Sequence, residues 1–130
     1  MIVVDSSSLA KVVLLEEGWE SVPLTTDTAT LNYSVVEVLS SVWKAVLRER
    51  ISEEDAKKKI EALKIMVGAL TIFKAEDYLG RGFEIALKER ITVYDAMYIA
   101  LAEDKNATLF TSDRKQYDVA RRYVRTIFVG

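Results

Sequence analysis

Neither cysteine nor histidine occurs anywhere in the 130 residues. Without cysteine there is no disulfide, no thiol nucleophile and no thiolate metal site. Without histidine the usual general base, the Ser-His-Asp arrangement and the commonest zinc ligand are excluded as well. Any catalysis must rest on carboxylates, hydroxyls, Lys, Arg, Tyr or a bound cofactor, and oxygen-ligated Mg²⁺ or Mn²⁺ suits that inventory better than zinc. Proline appears once, as Pro23, and no linker or low-complexity tract is present. No apolar run approaches the ~20 residues needed to span a bilayer. Met1 leads straight into Ile2, Val3 and Val4 with no basic stretch and no long apolar segment, so the expectation is a cytoplasmic protein with no membrane association.

Half of the residues are apolar and 29% are charged, a composition that suits one globular domain over residues 1–130. "MIVVD" reads as a short buried strand, Ile2 to Val4, ending at a carboxylate. The following "SSLAKVVLLEEG" reads as a helix with Leu9, Val12, Val13 and Leu15 on its apolar side and Gly18 as its stop. "TATLNYS" is a strand ending near Asn32, and "SVVEVLSSVWKAVLRER" is a helix with Val35, Leu39, Val42 and Val46 on one face. Val36, Trp43 and Leu47 broaden that face, which makes Trp43 a core anchor. A further helix from Ile51 to about Met66 opens with the capping pattern "SEED". "LTIF" is a strand, Tyr78 to about Glu89 a helix, and Val93 to Asp104 another. "TLFTSD", a basic helix and "RTIFV" complete the chain. Strands alternating with helices indicate an α/β layer fold with a mostly parallel sheet.

Four acids recur at the junctions of these elements: Asp5 after the first strand, Glu37 in "SVVE", Asp95 in "TVYD" and Asp113 after "TLFTS". Each taken alone is most simply a helix cap, worth ~1 kcal/mol. "SVVE" and "TVYD" match a capping box, with Ser34 or Thr92 as the cap. Taken together they say more. Sites in open parallel sheets lie beyond the carboxyl ends of the strands, where Asp5, Asp113 and Glu37 belong. Four converging carboxylates would raise one another's pKa unless a cation sat among them. Asp95 has no strand before it and is placed least firmly by this reasoning, although a divalent ion would explain a charge beside so apolar a helix.

These segments together resemble the PIN-domain family, specifically its VapC-like toxin type, over essentially the whole chain. "MIVVDSSSLAKVV" is similar to the family's opening strand with its first Asp and a following hydroxyl residue. "YSVVEVLSSVWKA" is similar to the helix that carries its Glu. "YDAMYIALAEDKNATLFTSD" is similar to the block with its third and fourth acids, including the Thr-x-Asp ending. The resemblance implies a three-layer α/β/α fold around a central parallel sheet. It implies that the acidic quartet falls on Asp5, Glu37, Asp95 and Asp113, with Ser6 and Thr111 as accompanying hydroxyls that orient ligands or water. It further implies an endoribonuclease dependent on Mg²⁺ or Mn²⁺, acting on single-stranded RNA, usually a homodimer and often inhibited by a small partner antitoxin. The stretch "GWESVPLTTDTATLN" is short where the family often has a fuller helical segment.

Two other functions compete. One is a catalytically inactive PIN-like module acting through a partner, which the full set of four acids argues against. The other is a phospho-acceptor α/β domain, which would want its acceptor Asp in mid-chain. The net charge of −2 excludes a wholly electrostatic nucleic-acid binder, but Arg114, Lys115, Arg121, Arg122 and Arg125 form a local basic strip. That strip is either a solvated helix face or a phosphate-contacting surface.

Overall fold

A computed structural model describes residues 1–130 and contains a five-stranded sheet. The strands are β1 (Ile2–Val4), β2 (Thr28–Leu31), β3 (Thr71–Phe73), β4 (Thr108–Thr111) and β5 (Thr126–Phe128). They lie in the order β3-β2-β1-β4-β5, and every neighbouring pair is parallel. The helices are α1 (Ser6–Val13), α2 (Ser34–Leu47), α3 (Glu53–Gly68), α4 (Leu79–Glu89), α5 (Val93–Lys105) and α6 (Arg114–Ala120). Short 3-10 turns occur at Trp19–Ser21 and Ala75–Tyr78. No helix is long and apolar enough to cross a membrane.

Strand alternation divides the apolar residues between two cores, one on each face of the sheet. Val3, Leu31 and Leu109 pack with α4, α5 and the end of α6, whereas Val4 packs with α1, α2 and α3. The expected three layers are therefore present, with a sheet that is entirely parallel. The connections leaving β1 and β4 run to opposite sides, so the crevice for a ligand opens at the carboxyl ends of these central strands. The helix α5 explains the apolar run from Ala96 to Ala102: all seven residues are buried. Gly82 lets α4 approach it, since a Cβ there would stand 2.5 Å from Met97 Cγ.

Several local expectations are corrected. The first helix ends at Val13 rather than at Gly18; Leu15 takes a left-handed conformation at φ 53° and turns out to solvent. Gly18, at φ +89°, instead starts the 3-10 turn, where a Cβ would collide with the Gly130 carbonyl at 2.5 Å. Ser34 does not cap α2. The cap position is Tyr33, and Ser34 sits inside the first turn with its hydroxyl donating to the Leu31 carbonyl. Trp43 is not a core anchor: it is 58% exposed, along with Val36, Leu39 and Leu47 of the same helix. Helix α2 carries a wider apolar stripe than the sheet can cover, so Val38, Val42 and Ala45 take the core.

Candidate active site

The carboxyl ends of β1, β2 and β4 deliver the acids to one rim. Asp5 follows β1 and caps α1, its Oδ1 accepting from the Ser8 N–H at 3.0 Å. Asp113 follows β4 and caps α6 by accepting from the Gln116 N–H at 3.0 Å. Glu37 lies in the first turn of α2, beyond β2. Asp95 arrives with no strand before it, carried on the first turn of α5. All four line a single open cavity of about 590 Å³, together with Ser6, Ser7, Tyr33, Tyr94, Ser40, Ser41 and Lys44.

Asp95 does not cap its helix. Thr92 does, accepting from the Asp95 N–H at 3.2 Å, and no backbone group donates to the Asp95 carboxylate. That side chain is left to the cavity. Its pKa rises from 3.8 to about 6, chiefly through burial and then through repulsion by Asp5, Asp113 and Glu37. Asp5, only 3% exposed, is also raised by burial, in spite of hydrogen bonds from Ser7, Thr111 and Ser8. None of the four acids forms an ion pair, although acids elsewhere on the surface do. For Asp5 and Asp95, burial opposes the ionised form, with acidic neighbours adding to it at Asp95, and a cation bound there would offset both.

The donors fit a hard divalent ion in kind, since they are all oxygens and carry no compensating protein cation. As the side chains stand, no three acids are arranged to hold an ion directly. Mg²⁺ is commonly held by one or two carboxylates with water filling the remaining positions, so this spacing agrees with a partly hydrated ion.

The hydroxyls divide differently from the expectation. Ser6 lines the cavity but makes no hydrogen bond to an acid. Ser7 is the connecting residue: its Oγ donates to Asp5 Oδ1 at 2.7 Å, accepts from the Ser112 N–H at 2.9 Å and stands 3.2 Å from Thr111 Oγ1. Thr111 in turn accepts from the Asp113 N–H at 3.1 Å, so one chain of hydroxyls ties Asp5 to Asp113. Three further residues take roles that the sequence reading did not assign to them. Tyr98, fully buried, donates its hydroxyl to Glu37 Oε1 at 3.0 Å and so spans from α5 to α2. Gln116, 1% exposed, donates from Nε2 to the Asp95 carbonyl at 2.8 Å and fixes the entry of α5 against α6. Lys44 lies two turns beyond Glu37. The spacing of Tyr98 from Asp95 and of Lys44 from Glu37 was visible in the sequence as helical periodicity. The Gln116 contact was not.

The basic strip lies outside the cavity, since none of Arg114, Lys115, Arg121, Arg122 and Arg125 lines it. Arg114 stacks over Phe128 at 3.9 Å, Arg121 lies over Tyr117 at 5.3 Å, and Arg122 pairs with Glu89 at 2.6 Å. Lys115 and Arg125 are exposed and unpaired.

Comparison with known proteins gives a consistent set of likenesses. The family model described as PIN domain matches residues 2–122. Ribonuclease VapC3 of Pyrobaculum aerophilum is 35% identical over 118 residues, covering 88% of this chain and 90% of its own. Ribonuclease VapC9 of Mycobacterium tuberculosis is 28% identical over 122 residues, covering 93% and 92%. Among solved structures, one from Pyrobaculum aerophilum superposes with a TM-score of 0.75 at 22% identity, covering 96% of this chain and 82% of that one. A toxin-antitoxin complex from Klebsiella pneumoniae superposes with a TM-score of 0.67 at 15% identity, covering 90% of each chain.

Proposed function

The chain belongs to the PIN domain family, and on that premise we propose that it is a divalent-metal-dependent endoribonuclease of single-stranded RNA, the toxin of a toxin-antitoxin pair, acting as one domain of residues 1–130. The observation that carries this reading is the convergence of Asp5, Glu37, Asp95 and Asp113 on one open cavity at the sheet's switch point, with no protein cation paired to any of them.

Asp5, Asp95 and Asp113 would hold one or two Mg²⁺ or Mn²⁺ ions, with Glu37 bound directly or through water. When bound, the ion makes a nucleophile available from water at neutral pH and offsets charge on the departing oxygen of the phosphodiester. The chain's own residues supply the positioning. Ser7 and the Ser8 N–H hold Asp5 in place, and the Asp113 carboxylate is fixed at one oxygen by its cap. Tyr98 holds Glu37 by Oε1, leaving Oε2 without a protein partner. In a partly enclosed site such fixed groups need little rearrangement as charge develops.

We assign two exposed apolar surfaces to partners. A groove of about 780 Å³ between α2 and α3, lined by Leu39, Trp43, Val46, Leu47 and Ile60, shares Val36 and Ser40 with the acid cavity. We assign this groove to an apolar segment of the antitoxin, whose adjoining residues would then reach the acids. Leu79, Phe83 and Leu87 form a second stripe on α4, 56%, 57% and 66% exposed, which suits a homodimer contact.

The test is cleavage of end-labelled single-stranded RNA in Mg²⁺, Mn²⁺ or EDTA, with Asp113→Asn alongside at equal folded concentration. Cleavage that requires metal and is lost in Asp113→Asn is expected. Cleavage that persists in EDTA, or is undiminished in the variant, would overturn the assignment.

A further inference from the structure

Lys44 is the single cation on a cavity wall otherwise made of acids, serines, tyrosines and one valine. We infer that Lys44, with Ser40 and Ser41, receives an RNA phosphate flanking the one that is cleaved. The inference rests on the nuclease reading above and adds the path of the substrate.

Glu37, Ser40, Ser41 and Lys44 follow the spacing i, i+3, i+4, i+7, so they form one polar line along α2. All four line the cavity. Seven residues of helix advance roughly 10 Å, which carries the line from the acids to a point clear of them. Lys44 is exposed, and its ammonium forms neither an ion pair nor a hydrogen bond within the protein. A lysine serving as counterion to the cluster would lie against Glu37 or Asp95, and Lys44 makes no such contact. Ser40 is likewise exposed and without a protein partner, while Ser41 makes only a 3.4 Å contact to the Glu37 carbonyl. The line therefore offers one ammonium and two hydroxyls, donors that match the non-bridging oxygens of a phosphodiester.

The electrostatics favour the same use. Four acids repel a polyanion until metal binds, so the substrate needs a positive contact displaced from them. The basic strip on and beyond α6 does not reach the cavity, and three of its arginines already stack or pair. Lys44 is the one cation that faces the space the RNA must enter.

The experiment compares the wild type, Lys44→Ala and Lys44→Arg on a short single-stranded RNA. A matching series replaces one phosphate at a time with a neutral methylphosphonate. Cleavage is followed in Mg²⁺, and binding is read by fluorescence anisotropy on an Asp113→Asn background so that the RNA survives. Lys44→Ala is expected to raise KM and Kd about tenfold at low salt. It should leave kcat within about twofold, because the contact is made equally in substrate and transition state. The slope of log Kd against log salt should fall by ~0.7, and Lys44→Arg should restore most of the binding. Methylphosphonate at one flanking position should weaken the wild type by the same factor, and Lys44→Ala should add nothing on that RNA. Cleavage by the wild type with KM and salt slope unchanged in Lys44→Ala would overturn this inference while leaving the nuclease intact. So would a Lys44→Ala effect that persists on every methylphosphonate RNA. If the wild type neither binds nor cleaves RNA, both readings fall.

Discussion

Replacing Asp95 by Asn should stabilise the metal-free protein at neutral pH while destroying its function. The Asp95 carboxyl is displaced from 3.8 to about 6, by burial first and by its three acidic neighbours second. At ~1.4 kcal/mol for each tenfold change in acidity, the displacement sets an upper bound of ~3 kcal/mol on the cost of ionising it in the folded state. Its partial contact with solvent screens that repulsion and reduces the figure to roughly 1–2 kcal/mol. Losing a negative charge from the first turn of α5 returns ~0.5 kcal/mol. The Thr92 cap survives because it engages the Asp95 backbone N–H rather than its carboxylate. The net gain for Asp95→Asn is therefore about 1 kcal/mol above pH 7, a rise of roughly 3–5 °C in Tm for a chain of this size. The sign with pH follows from linkage. A carboxyl raised on folding favours the folded state most below its unfolded pKa, and that advantage is lost as pH rises through about 6. The difference between variant and wild type should thus be small below pH 4, grow mainly between pH 4 and 6, and level off above pH 7. Thermal and urea unfolding in EDTA from pH 4 to 8 would measure it. Adding Mg²⁺ should then raise the wild-type Tm more than the variant's. An Asp95→Asn protein no more stable than wild type at pH 7.5 in EDTA would refute the account of Asp95 as a repelled carboxylate.

Ser7→Ala should reduce cleavage more than Ser6→Ala, since only Ser7 links Asp5 to the Thr111–Asp113 turn; equal rates for the two variants would contradict the geometry. Tyr98→Phe removes the hydroxyl that holds Glu37, so kcat should fall about tenfold with a stability loss of ~1 kcal/mol; an unchanged kcat would show that Glu37 needs no such support. Gly82→Ala places a Cβ 2.5 Å from Met97 Cγ, and the resulting strain should outweigh the gain in helix propensity by ~1 kcal/mol in denaturant unfolding. Trp43→Asp should leave RNA cleavage intact but abolish inhibition by the cognate antitoxin in a mixing assay, whereas full inhibition would dissociate the groove of α2 and α3 from that partner.

Much of this protein follows from local sequence alone. Strand alternation and helical periodicity located nearly every element, because burying one face of a strand or helix leaves a period that can be read directly. Asp5, Glu37 and Asp113 stood out because they fall where a strand passes into a helix, and Asp95 because it opens an otherwise apolar helix. What each carboxylate does was decided elsewhere. Thr92 takes the cap of α5 as its motif indicated, but Tyr33 displaces Ser34 at the start of α2, because the angle at which the chain enters a helix depends on what the preceding segment packs against. Trp43 and its neighbours on α2 read as core, yet they are exposed, since periodicity marks an apolar face without saying whether anything covers it. Three successive serines offered no ground for choosing Ser7 over Ser6; only the approach of β4 to α1 brought Thr111 within reach of one of them. The raised pKa of Asp95 belongs to the same class. It arises first from burial and then from residues 18, 58 and 90 positions away in the chain, which the parallel crossovers of the sheet bring to one rim. Local patterns record which face of each element is buried, whereas contacts between elements depend on distances that no single segment encodes.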